Sequence, residues 1–206
     1  MASNSIVENA DLWEPPVSPV EGTAYIVAKG ATGEWIGKDG QLALFSNGGW
    51  LFAQPNIGWR VWNQAEGNFA TFDGMAWVAG AQVVSLGGAG TGINVVEIDH
   101  ALSAGSTNVT VPVIPSHTVV IGISARVIGP LSGSLMSWKL GVLGSDDRYG
   151  SGLGLSLNSY AKGLSGSPVT YWSETDLLLS AEGGDFAAGQ IRFAVHFLEI
   201  MPPRPV

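Results

Sequence analysis

Apolar and polar positions along the chain alternate in short runs broken by turn residues, and the runs lengthen in the second half. In the first half the runs fall at residues 25–28, 42–45, 50–53, 59–62, 69–72 and 75–78. Between them stand Lys38-Asp39-Gly40, Asn47-Gly48-Gly49, Pro55-Asn56, Glu66-Gly67-Asn68 and Asp73-Gly74. Short period-two runs with glycine-bearing turns predict β-hairpins. This half is therefore read as a small Trp-rich β-domain, hairpin-built or barrel-like, over residues 1–80. The longer runs of the second half lie at 94–99, 108–113, 118–127, 135–142, 169–172, 176–180 and 190–199. About seven strands with Gly, Pro and Ser between them predict an antiparallel β-sandwich, jelly-roll-like, over residues 95–206. No run has the 3.6-residue period of a three-turn helix, so the predicted class is all-β.

Two stretches sharpen this reading. In Ile191-Arg192-Phe193-Ala194-Val195-His196-Phe197-Leu198 one face is apolar, while Arg192, Ala194, His196 and Leu198 share the other. Residues 80–94, Gly-Ala-Gln-Val-Val-Ser-Leu-Gly-Gly-Ala-Gly-Thr-Gly-Ile-Asn, offer little side-chain bulk to bury. They predict a Gly-rich linker over 81–94 between the two domains.

Composition narrows the function. The 206 residues are 46% hydrophobic and 13% charged, with a net charge of -8. Such a chain has apolar area enough for a core, and its surface must be rich in Ser, Thr, Asn and Gly. The acidic balance and the lack of basic runs argue against nucleic acid as a partner, and favour a neutral or weakly charged one. With no cysteine, disulfides and thiolate metal sites are excluded. The first residues lack the basic and apolar regions of a secretory signal, and no apolar stretch reaches the length of a membrane helix. The expectation is synthesis in the cytoplasm, no membrane insertion, and release by lysis.

Candidate chemistry is sparse. His100, His117 and His196 are far apart in sequence and form no metal-binding pair, so neither metal nor cofactor is expected. Glycoside hydrolysis needs two acids at a set separation, and Asp146/Asp147, Glu174/Asp176 and Glu182/Asp185 are the candidate pairs. Each lies beside turn residues, where carboxylates ordinarily face water or cap backbone amides. No catalytic residue is assigned, and a glycosidase stays as an alternative.

Aromatic residues carry more information. Six of the eight tryptophans (Trp13, Trp35, Trp50, Trp59, Trp62 and Trp77) precede the Gly-rich stretch. Most are expected in the core of a domain too small to be filled by aliphatics alone. In Gly58-Trp59-Arg60-Val61-Trp62 strand alternation puts Trp59 and Val61 on one face and Arg60 and Trp62 on the other, so one of these tryptophans is expected at the surface. In the second half Tyr160, Tyr171 and Trp172, with Asn158, stand among Ser, Asn and Gly. Rigid rings among small hydrogen-bonding groups suit recognition, and stacking on sugar rings is the expected mode. Core packing or a subunit contact is the competing reading for each.

A longer pattern joins these pieces. It runs Trp13-Glu-Pro-Pro-Val-Ser-Pro-Val-Glu-Gly-Thr-Ala-Tyr25, Ala31-Thr-Gly-Glu-Trp35-Ile-Gly37, Gly49-Trp50-Leu-Phe52-Ala-Gln-Pro55 and Phe72-Asp-Gly-Met-Ala-Trp77. It resembles the phage-related, Trp/Pro-rich domain of unknown function found in head spike (fibre) proteins of gene transfer agents and related prophages. Tyr171-Trp-Ser-Glu-Thr-Asp-Leu177, Ala181-Glu-Gly-Gly-Asp-Phe186 and Gly189-Gln-Ile-Arg-Phe-Ala-Val-His196 are similar to the β-domain that accompanies it. Many members of that family begin with a longer helix-forming segment, whereas here twelve residues precede Trp13. The resemblance implies a non-enzymatic homo-oligomer, trimeric like fibres generally, on the surface of a phage-like particle. It implies that the first domain docks to spike-base or capsid proteins and the second attaches to capsular polysaccharide on the host cell. The alternative within binding proteins is a structural spike adaptor that touches no sugar.

Overall fold

The computed structural model describes residues 5–205, so the first four residues of the 1–80 domain and the last of 95–206 lie outside it. Sixteen strands and one 3-10 turn make up its regular structure, with no α-helix among the described residues. The predicted all-β class holds. The chain divides into two compact units: residues 1–92 together with 200–206, and residues 93–199.

The first unit holds two small sheets. Strands β2 (Ala24–Ile26), β3 (Leu42–Ser46) and β4 (Gly49–Ala53) form one, while β1 (Ser5–Val7), β5 (Arg60–Asn63), β6 (Asn68–Phe72) and β7 (Trp77–Ala79) form the other in the order β1-β5-β6-β7. The β3–β4 loop is Asn47-Gly48, both at positive φ (53° and 75°). This is the twist of a type I′ turn, which Asn-Gly adopts at least cost. Alternation along β2 and β3 feeds two separate cores. Tyr25, Val27 and Ala43 pack with Trp35, Trp50 and Phe52, whereas Ile26, Ala24 and Leu42 pack with Val7, Val61, Ala70 and Trp77. Trp35 stands edge-on to Trp50 at 5.1 Å between centroids, with Tyr25 5.7 Å away. Two cores of four buried residues each need such wide rings to exclude water.

The Gly-rich segment expected to link the domains is instead a hairpin. Val83–Val84 (β8) pairs antiparallel with Gly90–Ala101 (β9), Val84 opposite Gly90. Gly90 is needed there because a Cβ would come within 2.9 Å of Met201 Sδ and 3.0 Å of Ala81 Cβ. The small residues read as slack are close-packing sites.

The second unit is a two-sheet sandwich. One sheet runs β10 (Thr107–Val109), β15 (Leu178–Glu182), β12 (Ser137–Val142), β13 (Ser145–Leu153). The other runs β14 (Tyr160–Tyr171), β11 (Thr118–Gly133), β16 (Phe186–Met201), β9, with β8 added at the first-unit end of β9. In chain order the strands cross between sheets at every step except the β12–β13 hairpin. This connectivity, eight strands in two four-stranded sheets with these neighbours, is that of a jelly roll. β16 alternates as its sequence predicts, with Ile191, Phe193, Val195 and Phe197 inward. They meet Trp138, Leu140, Leu177, Leu179 and Phe186 in one continuous core. The chain comes into this unit along β9 and leaves along β16, which are neighbours in the sheet.

Candidate functional site

The second half's rings separate on folding. Tyr160 opens β14 opposite Arg126, and Tyr171 closes it opposite Thr118. From Thr118 to Arg126 along β11 is roughly 26 Å at the rise of a strand. Tyr160 and Trp172 therefore lie at opposite ends of the jelly roll and cannot share one small ligand.

Tyr171 turns inward, with 9% of its surface exposed. Its hydroxyl meets that of Tyr149 at 2.7 Å, and burial, followed by this hydrogen bond, pushes the Tyr149 phenol far up. Strand alternation explains the correction to a ligand-facing role: Tyr171 shares a face with the core, and the next residue, Trp172, does not. Trp172 is 74% exposed, with His117 set edge-on to its ring at 6.1 Å.

At the other end, the Tyr160 ring is 63% exposed and two cations attend it. The Arg126 guanidinium carbon lies 5.6 Å from the ring centroid and the Lys162 ammonium 5.8 Å. Arg126 Nη1 donates to the carbonyl of Asn158 at 3.2 Å, and the amide of Asn158 donates to Val127 O at 2.9 Å. Asn158 holds φ 68°, a left-handed turn position that asparagine tolerates. The backbone at Asn158 is thus the strut that places Arg126. Neither Arg126 nor Lys162 forms an ion pair among the described residues, whereas the neighbouring Arg192 is held by Asp99 at 2.6 and 2.7 Å and by Glu97 at 3.4 Å. Sequence reasoning missed both cations. Lys162 was within reach, since residues two apart on a strand share a face, but Arg126 comes from another strand.

Of the Trp59 and Trp62 pair, Trp62 is the surface ring. It is 37% exposed and edge-on to Phe69 at 5.0 Å, while Trp59 is half-buried. Trp13, 55% exposed, shares a hollow of about 320 Å³ with Leu12, Glu14, Pro15, Pro16 and Val17.

The candidate acids sit apart in kind. Glu182 accepts from Ser137 Oγ at 2.6 Å and from the Gly152 amide at 3.0 Å, and these bonds hold it below the usual carboxylate range. A general acid needs the opposite shift. Asp146 pairs with Lys139 at 3.3 Å, and Asp147, Glu174 and Asp185 face solvent. Asp176 is half-buried with one carboxylate oxygen unpartnered. No three His, Asp or Glu side chains among the described residues group as metal ligands.

Fold and surface together define an all-β protein made of a jelly roll and a small tryptophan-rich unit. Residues 1–78 match the family described as "Protein of unknown function (DUF2793)". This is the stretch that bears the Trp/Pro pattern. A chain in the solved structure titled "Cyanophage Pam1 capsid asymmetric unit" has a partial likeness, with a TM-score of 0.40 at 19% identity over 54% of this chain and 86% of that one. No curated protein matches the chain.

Proposed function

We propose that this chain is a non-enzymatic surface subunit of a phage-like particle, the head spike or fibre of a gene transfer agent. In this reading its jelly roll attaches to a cell-surface polysaccharide. The observation that carries the binding role is the pair of exposed rings on the sandwich, Tyr160 beside Asn158 and Ser159, and Trp172 beside Ser173. Planar rings with two side-chain torsions present an apolar face to a sugar at a low cost in conformational freedom. The phage-particle role is supported by the Trp/Pro pattern of residues 13–77 and by the family match over the same stretch. The low charge and exposed apolar side chains such as Val17, Ile36 and Leu51 suit packing against other particle proteins and copies of itself.

The test is binding of the full-length protein to capsule-bearing and capsule-free cells of one strain. Preferential binding to the capsule-bearing cells, lowered by Tyr160→Ala or Trp172→Ala, is the expected result. Equal binding to both cells favours the adaptor reading, and shortening of the capsule chains would establish a glycosidase.

A further inference from the structure

We infer that the Tyr160 end of the jelly roll takes an acidic sugar, with a carboxylate held between Arg126 and Lys162 and the sugar ring against Tyr160. The inference rests on the saccharide-binding reading and names the class of residue recognised. It reverses the expectation drawn from net charge.

Register sets the geometry. Arg126 stands opposite Tyr160, and Ser124 opposite Lys162, so the two cations come from adjacent strands on the exposed face of one sheet. Both lie within 6 Å of the same ring centroid. Arg126 is further fixed by its bond to the Asn158 carbonyl. Two neighbouring cations repel each other, and the face of one exposed tyrosine offsets that only in part. The other arginine on this face, Arg192, already has two carboxylates, which leaves Arg126 and Lys162 as the cationic spot in need of an anion.

The protein's net charge of -8 does not forbid this. At physiological ionic strength fields decay over about 8 Å, so a ligand in contact with Arg126 and Lys162 responds to them before it responds to distant carboxylates. The near ones, Glu97 and Asp99, are offset by Arg192, the residue opposite Arg126. A carboxylate suits the pair, because a guanidinium gives it two parallel donors and an ammonium gives a point charge. A sugar ring beside the carboxylate supplies the apolar face for Tyr160. A bare inorganic anion would use the cations and ignore the ring, so the ring and the pair together point to a uronic-acid-type residue.

The experiment measures binding of the full-length protein to alginate, a polyuronate, to the same polymer after reduction of its carboxyls, and to dextran sulfate. Capsule-bearing cells are run alongside. Alginate is expected to bind at least about tenfold more tightly than its carboxyl-reduced form. Arg126→Gln with Lys162→Gln should remove that preference, and Tyr160→Leu, which keeps both cations, should weaken alginate binding about tenfold. All three positions are exposed, and an unchanged melting temperature confirms that the variants fold. Equal binding of alginate and its reduced form would overturn the inference, as would capsule binding with no affinity for alginate. In both cases the saccharide reading survives. Dextran sulfate binding as tightly as alginate, with no loss in Tyr160→Leu, would reduce the site to charge attraction and also overturn it. Failure to bind any polymer or capsule would overturn both readings.

Discussion

The guanidinium of Arg204 pairs with the carboxylate of Asp73, 131 residues earlier in the chain. Asp73 is fully buried and also accepts from the amides of Met75 and Ala76, each at 2.9 Å. Arg204 donates to Leu86 O from its side chain, and its amide donates to Gly87 O. Gly88 makes room for both groups, since a Cβ there would come within 2.8 Å of the arginine stem and 3.2 Å of the carboxylate. The C-terminal segment is thereby latched to the unit that begins the chain.

Removal of Arg204 leaves a buried carboxylate without its cation. Arg204→Ala should destabilise the first unit by about 2–4 kcal/mol, read as a lowered denaturation midpoint. Burial pushes Asp73 up, but the Ala76 and Met75 amides and Arg204 outweigh it and hold it below the usual carboxylate range. A depressed folded value means stability is present above the unfolded value of about 4 and is lost as pH falls through the folded one. Asp73→Asn should flatten that acid limb.

A second titration acts at higher pH. His100 is lowered by burial, partly opposed by a hydrogen bond with Asn108, and its Nε2 is buried without a partner. The unfolded chain therefore takes up a proton before the folded one, so stability is full above about pH 6.5 and declines as pH falls below it. The drop in melting temperature between pH 7.5 and 5.5 should be smaller in His100→Gln than in the parent.

Close packing between β13 and β14 predicts a sharp contrast of two glycines. A Cβ on Gly163 would lie 2.2 Å from the carbonyl oxygen of Tyr149, whereas one on Gly166 meets nothing within 4 Å. Gly163→Ala should cost about 3 kcal/mol or more in denaturant unfolding, and Gly166→Ala should change stability by less than about 0.5 kcal/mol.

The separation of the two exposed rings predicts independence. With roughly 26 Å of strand between them, the binding losses from Tyr160→Ala and Trp172→Ala should add to within about 0.5 kcal/mol. A double-mutant cycle in the cell-binding assay measures this, and strong coupling would show that one ligand reaches both ends.

What the sequence disclosed follows from locality. The run 190–199 alternates cleanly because one face is buried, and it became part of β16. The run 42–45 is apolar throughout and became β3, whose two faces feed separate cores. β13 escaped notice because Ser-Asp-Asp-Arg-Tyr-Gly carries one core side chain, Tyr149, and owes its extended form to pairing with β12. The hairpin at β8 and β9 was hidden for a related reason: what makes Gly90 necessary is Met201, far along the chain. At the candidate site the ring of Tyr160 was legible and its cationic company was not, because strand order, and not spacing, brings Arg126 to it. Asp73 was legible as a turn residue, but its pairing with Arg204 left no local signal.

Because the jelly roll is reached along β9 and left along β16, two adjacent strands, its connections to the rest of the chain leave side by side. A domain inserted in this way is a cassette. Residues 93–199 can be exchanged for another sandwich of the same connectivity while the latched unit of residues 1–92 and 200–206 is kept. A different sandwich surface then needs substitution of one contiguous segment, with the other unit inherited intact.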